Sequence, residues 1–124
     1  MSGADRPILV VGATGMLGRP VASRLRSEGV RVRVLSRDPA RAAAALGEGY
    51  EYAPGDVRDP ASLAAALGGC RGVHINLRAG SLADMQSVEA EGVGAVARAA
   101  AAAGVERLTY LSGAGMEAGD PALP

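Results

Sequence analysis

Lysine is absent from this chain of 124 residues, and all thirteen of its basic side chains are arginines. No lysine of this chain can therefore take part in catalysis. The single cysteine, Cys70, excludes an internal disulfide and suits a reducing compartment. Thirteen acidic residues balance the arginines to a net charge of zero, so the overall field favours neither nucleic acid nor an anionic membrane as a partner.

Long apolar runs are absent as well, since no window of the sequence approaches the length of a membrane span. The N-terminus carries Asp5 and Arg6 before a short apolar stretch and shows no signal-peptide core. We therefore expect a cytoplasmic protein. The length corresponds to one domain.

Three glycines spaced three residues apart, directly after an apolar run, form the most informative motif. Gly12 permits a tight turn out of a strand, Gly15 leaves no Cβ between the main chain and a phosphate, and Gly18 lets the next helix lie close to the sheet. The start of that helix offers unpaired N–H groups and a positive dipole end to an anion. The motif predicts a pyrophosphate-binding loop of a dinucleotide site; a glycine-rich connection without a ligand is the alternative.

Hydrophobic patterning predicts five strands that alternate with four helices. The predicted strands cover residues 7–12, 30–35, 50–53, 73–77 and 107–112. Asp59 and Pro60 predict a helix start, while Gly29 and Gly104 predict helix ends. This alternation with right-handed crossovers predicts an α/β fold with a doubly wound parallel sheet in the order 3-2-1-4-5. We expect one domain over residues 1–112 and an irregular tail over 113–124.

Four segments in this order resemble the short-chain dehydrogenase/reductase superfamily and, within it, the atypical NmrA-like branch: VGATGMLG at 11–18, LSRDP at 35–39, GDV at 55–57 and AGVERLTYLS at 103–112. The resemblance implies a Rossmann-type NAD(P)-binding fold. It assigns cofactor contacts to Thr14, Met16 and Leu17 together with the three glycines. The superfamily's later strands would lie beyond Pro124, so we expect a truncated sheet, the N-terminal, adenosine-binding part of a longer reductase.

The residue after the second strand distinguishes NAD from NADP in this kind of fold. Arg37 stands where an acidic residue would bind the ribose 2′-hydroxyl of NAD, and a guanidinium there suits a 2′-phosphate. Ser36 and Arg19 are weaker candidates to support that phosphate. NADP is therefore the favoured cofactor, and NAD is the alternative because Asp38 offers a carboxylate to a hydroxyl.

Two further loops resemble adenosine-binding positions of the superfamily. Asp56 matches the position whose carboxylate meets the adenine amino group, and Val57 would present its backbone and an apolar wall. An ordinary Asx turn is the alternative for Asp56. Leu77 and Ala79 follow the fourth strand, where the family passes the adenosine ribose, in the crevice outside the carboxyl ends of the strands.

Candidate catalytic residues are few. Ser112 ends the fifth strand, where the superfamily places a hydroxyl that bonds the reacting group of the substrate; a simple exit from strand to loop is the alternative. The tyrosine–lysine pair of the superfamily cannot form because the chain has no lysine. We interpret His74, Cys70 and Tyr110 as structural residues, and we predict no metal site.

These features favour the NAD(P)-binding domain of an atypical reductase whose longer form transfers hydride between NADPH and a small carbonyl or quinone. The alternatives are a nonenzymatic NmrA-like sensor of the cofactor's redox state and a fragment of a sugar-nucleotide epimerase. The dinucleotide is the expected partner, and a small-molecule substrate is expected only in a longer form. The fifth strand would leave an uncovered sheet edge, so we expect an oligomer or a marginal monomer.

Overall fold

A computed structural model describes residues 6–13, 18–76 and 90–110 of the chain. Its strands are β1 (Ile8–Val11), β2 (Val32–Ser36), β3 (Glu51–Pro54), β4 (Gly72–Ile75) and β5 (Arg107–Tyr110). Its helices are α1 (Gly18–Ser27), α2 (Pro39–Leu46), α3 (Pro60–Leu67) and α4 (Ala90–Ala102). All strand pairs are parallel, and the sheet order is β3-β2-β1-β4-β5. The predicted fold class and strand order are confirmed.

Helices cover both faces of the sheet because β1, the central strand, is apolar on both sides. Val10 belongs to a core cluster with residues of α1 and β2, including Ala22 and Val34. Leu9 and Val11 belong to the opposite cluster, which is built from α3, β4 and α4. Continuous apolar runs of this kind are typical of parallel strands that are buried on both faces.

Two aspartates begin the helices that follow β2 and β3. The Asp38 carboxylate accepts a hydrogen bond from the Arg41 N–H at 3.2 Å, at the start of α2. The Asp59 carboxylate accepts one from the Ala61 N–H at 3.1 Å, at the start of α3. Each N-cap is followed by a proline at the first helical position, where the missing N–H costs nothing. The predicted helix start at 59–60 is confirmed.

The strand β5 forms one edge of the described sheet. Leu108 on this strand is 39% exposed, which is unusual for a large apolar side chain. The association expected from this edge stays a prediction. Within the described ranges, no helix has both the length and the apolar character needed to cross a bilayer.

Candidate functional site

The carboxyl ends of the parallel strands meet at one edge of the sheet. In the strand register Val11 is opposite Leu35 on one side and Ile75 on the other, while Ser36 is opposite Pro54. The loops that follow β1, β2 and β3 carry the predicted residues at 12, 37 and 56–57, and Ser36 is the last residue of β2. Sheets of this type bind ligands in the crevice outside these ends, so the structure brings three of the predicted loops to one place.

Gly12 makes the turn out of β1 with a φ of +87°. A Cβ atom at this position would overlap the carbonyl oxygen of Asn76, the first residue after β4. The Asn76 N–H in turn donates to the Val11 carbonyl at 2.9 Å, which holds the two strand ends together. Gly12 therefore has the role expected of the first glycine, a tight turn that no larger residue allows.

Gly18 is buried at the first position of α1. A Cβ atom on Gly18 would overlap the carbonyl oxygen of Gly12 and lie 3.1 Å from the Ala13 Cα. The start of α1 therefore rests directly on the turn out of β1, as expected of the third glycine. The remaining predicted residues, Thr14, Gly15, Met16, Leu17, Leu77, Ala79 and Ser112, lie outside the described residues.

Hydrogen bonds join the loops after β2 and β3. The Gly55 N–H donates to the Ser36 carbonyl at 2.9 Å, and the Ser36 hydroxyl oxygen accepts from the Asp38 N–H at 3.1 Å. Arg37 lies between them with an exposed side chain, and Arg19 is exposed at the start of α1. The carboxylate of Asp38 caps α2. The acidic side chain that kept NAD as an alternative thus already has a structural role.

Asp56 is held by Arg58, two residues further along the chain. The Arg58 N–H and Nε donate to Oδ1 at 2.9 and 3.2 Å, and Nη2 donates to Oδ2 at 2.9 Å. These side-chain and backbone hydrogen bonds from Arg58, with a smaller contribution from the charge of Arg37, lower the pKa of Asp56 to about 2. The carboxylate is therefore ionised at neutral pH, with both oxygens engaged.

The turn that carries this aspartate is fixed by Ser62 in α3. The Asp56 N–H donates to the Ser62 hydroxyl oxygen at 3.0 Å, and that hydroxyl lies 2.8 Å from the Asp59 carbonyl. Val57 is half-buried and packs against the core cluster on the α3 side of the sheet. The Asx turn considered for Asp56 is present, since Oδ1 accepts from the N–H two residues on.

Sequence reasoning missed Asn76 and Arg58. Asn76 is only 7% exposed, and the available signal was a polar residue at the end of a buried strand, next to the predicted ribose loop. The signal for Arg58 was the Asp-x-Arg spacing, which allows a bidentate pair within a single turn.

Cys70 is buried, which fits its interpretation as a structural residue. It is 2% exposed, and burial raises the pKa of its thiol. Its Sγ lies 3.4 Å from Nη1 of Arg33, which also donates to the Ala66 and Gly68 carbonyls at 2.7 and 2.8 Å. This arginine therefore caps the C-terminal end of α3, a role that the sequence did not predict.

His74 is half-buried on β4. Its Nδ1 is 2.7 Å from the Thr109 hydroxyl on β5, and burial lowers its pKa. Its Nε2 is buried and has no hydrogen-bond partner among the described residues. The ring lines a groove of about 410 Å³ between α1 and the strands β4 and β5. A structural role for His74 accounts for the contact of Nδ1 with Thr109. It does not account for the buried Nε2, which has no hydrogen-bond partner among the described residues.

The described parts of the chain contain no group of three His, Cys, Asp or Glu side chains that could hold a metal ion. The charged side chains carried by the described loops after β2 and β3 are those of Arg37, Asp38, Asp56, Arg58 and Asp59.

Comparison with known proteins identifies the family of the chain. Residues 12–123 match the protein family described as NAD(P)H-binding. Cinnamoyl-CoA reductase 1 from Oryza sativa subsp. japonica is 35% identical over 122 residues, which are 92% of this chain and 36% of that protein. The chain thus spans about a third of the length of this curated relative.

Two solved structures share the fold and part of the sequence. NADPH-dependent quinone oxidoreductase QOR2 from Escherichia coli, complexed with NADPH, aligns with a TM-score of 0.68 and 30% identity, over 83% of this chain and 35% of that one. A short-chain dehydrogenase/reductase superfamily protein from Agrobacterium tumefaciens with bound NAD aligns with a TM-score of 0.65 and 32% identity, over 83% and 31%. The resemblance to that superfamily is confirmed, and the chain belongs to the NAD(P)H-binding family.

Proposed function

We propose that the chain binds NADP(H) at the carboxyl edge of its sheet and supplies the adenosine and diphosphate side of a reductase. The whole protein would transfer hydride between NADPH and a small carbonyl or quinone. One observation carries the choice of NADP(H): Arg37 is exposed at the end of β2, while the neighbouring Asp38 caps α2. A guanidinium at this position attracts a 2′-phosphate, and one oxygen of the neighbouring carboxylate is engaged at the start of α2.

The described residues fit a dinucleotide. Gly12 and Gly18 bring the turn out of β1 and the start of α1 together, which is the arrangement that a dinucleotide-binding fold uses to place a diphosphate at a helix start. Arg37, supported by Ser36, would hold the 2′-phosphate. Asp56 and Val57 would face the adenine. When bound, the nicotinamide supplies the hydride, and the part of the chain described here positions the opposite end of the cofactor.

Similarity alone does not decide which dinucleotide binds. The Escherichia coli quinone oxidoreductase holds NADPH, whereas the Agrobacterium tumefaciens protein holds NAD. Both align with this chain to a similar extent, so the choice depends on this chain's own residues after β2. Arg37 is the residue whose charge differs from that of an NAD-binding carboxylate.

Calorimetric titration of NADP⁺, NADPH, NAD⁺ and NADH tests the proposal. Arg37→Ala should weaken binding of both phosphorylated forms by about 10-fold or more, since a charge-assisted hydrogen bond is lost, and should leave NAD(H) binding unchanged. Arg24→Ala is the matched control because Arg24 is an exposed arginine of α1 that pairs with Glu28. Equal losses for both dinucleotides, or no loss for either, would contradict the phosphate assignment.

The same titrations address the alternative of a redox sensor. A chain that contacts only the adenosine and diphosphate should bind NADP⁺ and NADPH alike, because these parts are identical in the two forms. A sensor must distinguish them, since its signal depends on a difference in affinity. A preference of 10-fold or more between the two redox forms would favour the sensor over the reductase domain.

A further inference from the structure

The pairing of Asp56 with Arg58 conflicts with the role that the superfamily gives to the aspartate. Both carboxylate oxygens accept hydrogen bonds from Arg58, at 3.2 and 2.9 Å from its side chain. An adenine amino group needs one of these oxygens as its acceptor. The guanidinium therefore competes with an adenine amino group for these two oxygens.

The pair is placed to respond to a ligand. The Arg58 side chain is 77% exposed and that of Asp56 is 26% exposed. An ion pair this open to water contributes little to stability, because solvent screens it and two side chains must be ordered to form it. Arg58 can therefore move from Asp56 to another anion at little cost in free energy.

A 2′-phosphate on the Arg37 side would offer that anion. The loops after β2 and β3 are joined by the hydrogen bond from the Gly55 N–H to the Ser36 carbonyl. Arg37 and Asp56 each lie one residue beyond this bond, and the charge of Arg37 is close enough to lower the pKa of Asp56. A phosphate held by Arg37 is thus next to the Asp56–Arg58 pair and presents several oxygens to a second guanidinium.

We propose that Arg58 is a second specificity-determining residue, which leaves Asp56 for the 2′-phosphate when NADP(H) binds and so frees the carboxylate for the adenine amino group. This inference rests on the proposed function. NAD(H) has no 2′-phosphate to draw Arg58 away, so it meets an aspartate that is still paired with Arg58. The discrimination between the two dinucleotides then has two sources, the phosphate contact and the release of Asp56.

Titration of NADP⁺ and NAD⁺ against Arg58→Ala tests this exchange. We expect NADP⁺ affinity to fall by about 5- to 30-fold, as for one charge-assisted hydrogen bond, and NAD⁺ affinity to stay equal or rise because Asp56 is free. Arg58→Lys should recover part of the loss, since an ammonium still attracts a phosphate as a point charge. Equal losses of affinity for both dinucleotides would show that Arg58 has a merely structural role. An unchanged affinity for both would show that Arg58 has no role in binding. Either outcome overturns the inference.

Carbon-13 spectroscopy of the Asp56 carboxyl gives a readout that does not depend on affinity. Saturating NADP⁺ should shift this signal strongly in the wild type and weakly in Arg58→Ala, whereas saturating NAD⁺ should shift it weakly in the wild type. An identical response of the wild type to both dinucleotides would contradict the exchange.

The result for Arg37→Ala separates this inference from the proposed function. If Arg37→Ala lowers NADP⁺ affinity selectively and Arg58→Ala does not, only the exchange is wrong. If the wild type binds neither dinucleotide, the proposed function is itself wrong. Arg24→Ala again serves as the control for removal of an exposed positive charge.

Discussion

A Cβ atom on Gly12 would overlap the carbonyl oxygen of Asn76, so the turn out of β1 and the exit from β4 are packed backbone against backbone. No side chain separates the two strand ends at the edge where a dinucleotide would bind. This contact explains why the first glycine of the motif is required by the protein's own packing, independently of any ligand.

Replacement of Gly12 by alanine should therefore be much more costly than replacement of a glycine that has only an unusual backbone conformation. Gly29 has nearly the same φ, +85° against +87°, but a Cβ there would meet no atom within 4 Å. We expect Gly29→Ala to lower the free energy of unfolding by about 1 to 2 kcal/mol, and Gly12→Ala by about a further 1 to 3 kcal/mol from the collision with Asn76. Urea denaturation of the two variants measures the difference. Equal losses would mean that the backbone at 12 and 76 moves apart at no cost.

Gly18→Ala should displace the start of α1, because a Cβ there would overlap the Gly12 carbonyl. We expect a loss of about 1 to 3 kcal/mol in the free energy of unfolding, as for other overpacked sites, with weaker NADP⁺ binding in the folded fraction. Gly94→Ala in α4 is the matched control, since its Cβ would approach only the flexible Arg98 guanidinium, at 3.2 Å. That control should gain about 0.5 to 1 kcal/mol through helix propensity. A stabilised Gly18→Ala variant would refute the close packing of α1.

The order of the strands and the helix starts were predictable because their signals lie within a few neighbouring residues. An aspartate before a proline begins α3, and three glycines surround the turn between β1 and α1, whatever the rest of the chain does. The contacts of Arg33 were not predictable in this way. Its guanidinium reaches carbonyls 33 and 35 residues further along the chain, which become neighbours only after the sheet and α3 have assembled.

The candidate site likewise has features that could be predicted from the sequence and features that could not. The positions of Arg37 and Asp56 follow from strand ends, so the sequence could assign them to the carboxyl edge. The pairing of Asp56 with Arg58 depends on which rotamers the turn after β3 selects, and residue spacing permits it without requiring it. Sequence patterns therefore predict which side chains lie at the carboxyl edge better than they predict which of these side chains are already hydrogen-bonded to each other.

Arg33→Met should destabilise the protein by about 2 to 3 kcal/mol, because it removes charge-assisted hydrogen bonds to the last carbonyls of α3 while it keeps an apolar stem. The Arg33 side chain is only 18% exposed, so water replaces these bonds poorly. Arg24→Ala should change stability by less than about 0.5 kcal/mol, since its pair with Glu28 lies on the surface. Urea denaturation compares the two variants.

The rate of modification of the Cys70 thiol gives a second measure of how firmly the C-terminal end of α3 is held. Its Sγ lies beside the Arg33 guanidinium, and it is 2% exposed in the native protein. We expect Arg33→Met to accelerate modification of this thiol by an aromatic disulfide reagent under native conditions, because the end of α3 opens more often. An unchanged rate together with unchanged stability would show that Arg33 does not hold this helix end.

His74 should make the protein less stable in mildly acidic solution. Burial lowers the pKa of its imidazole in the folded state, so as the pH falls the unfolded chain takes up the proton first. Stability is then fully present above the ordinary histidine pKa of about 6.5 and declines as the pH drops below it. His74→Gln should flatten this dependence, since the chain has one histidine. Urea denaturation at about pH 7.5 and pH 5.5 measures the effect; if wild type and variant lose the same stability between these conditions, the decline belongs to carboxyl groups and the imidazole is not desolvated.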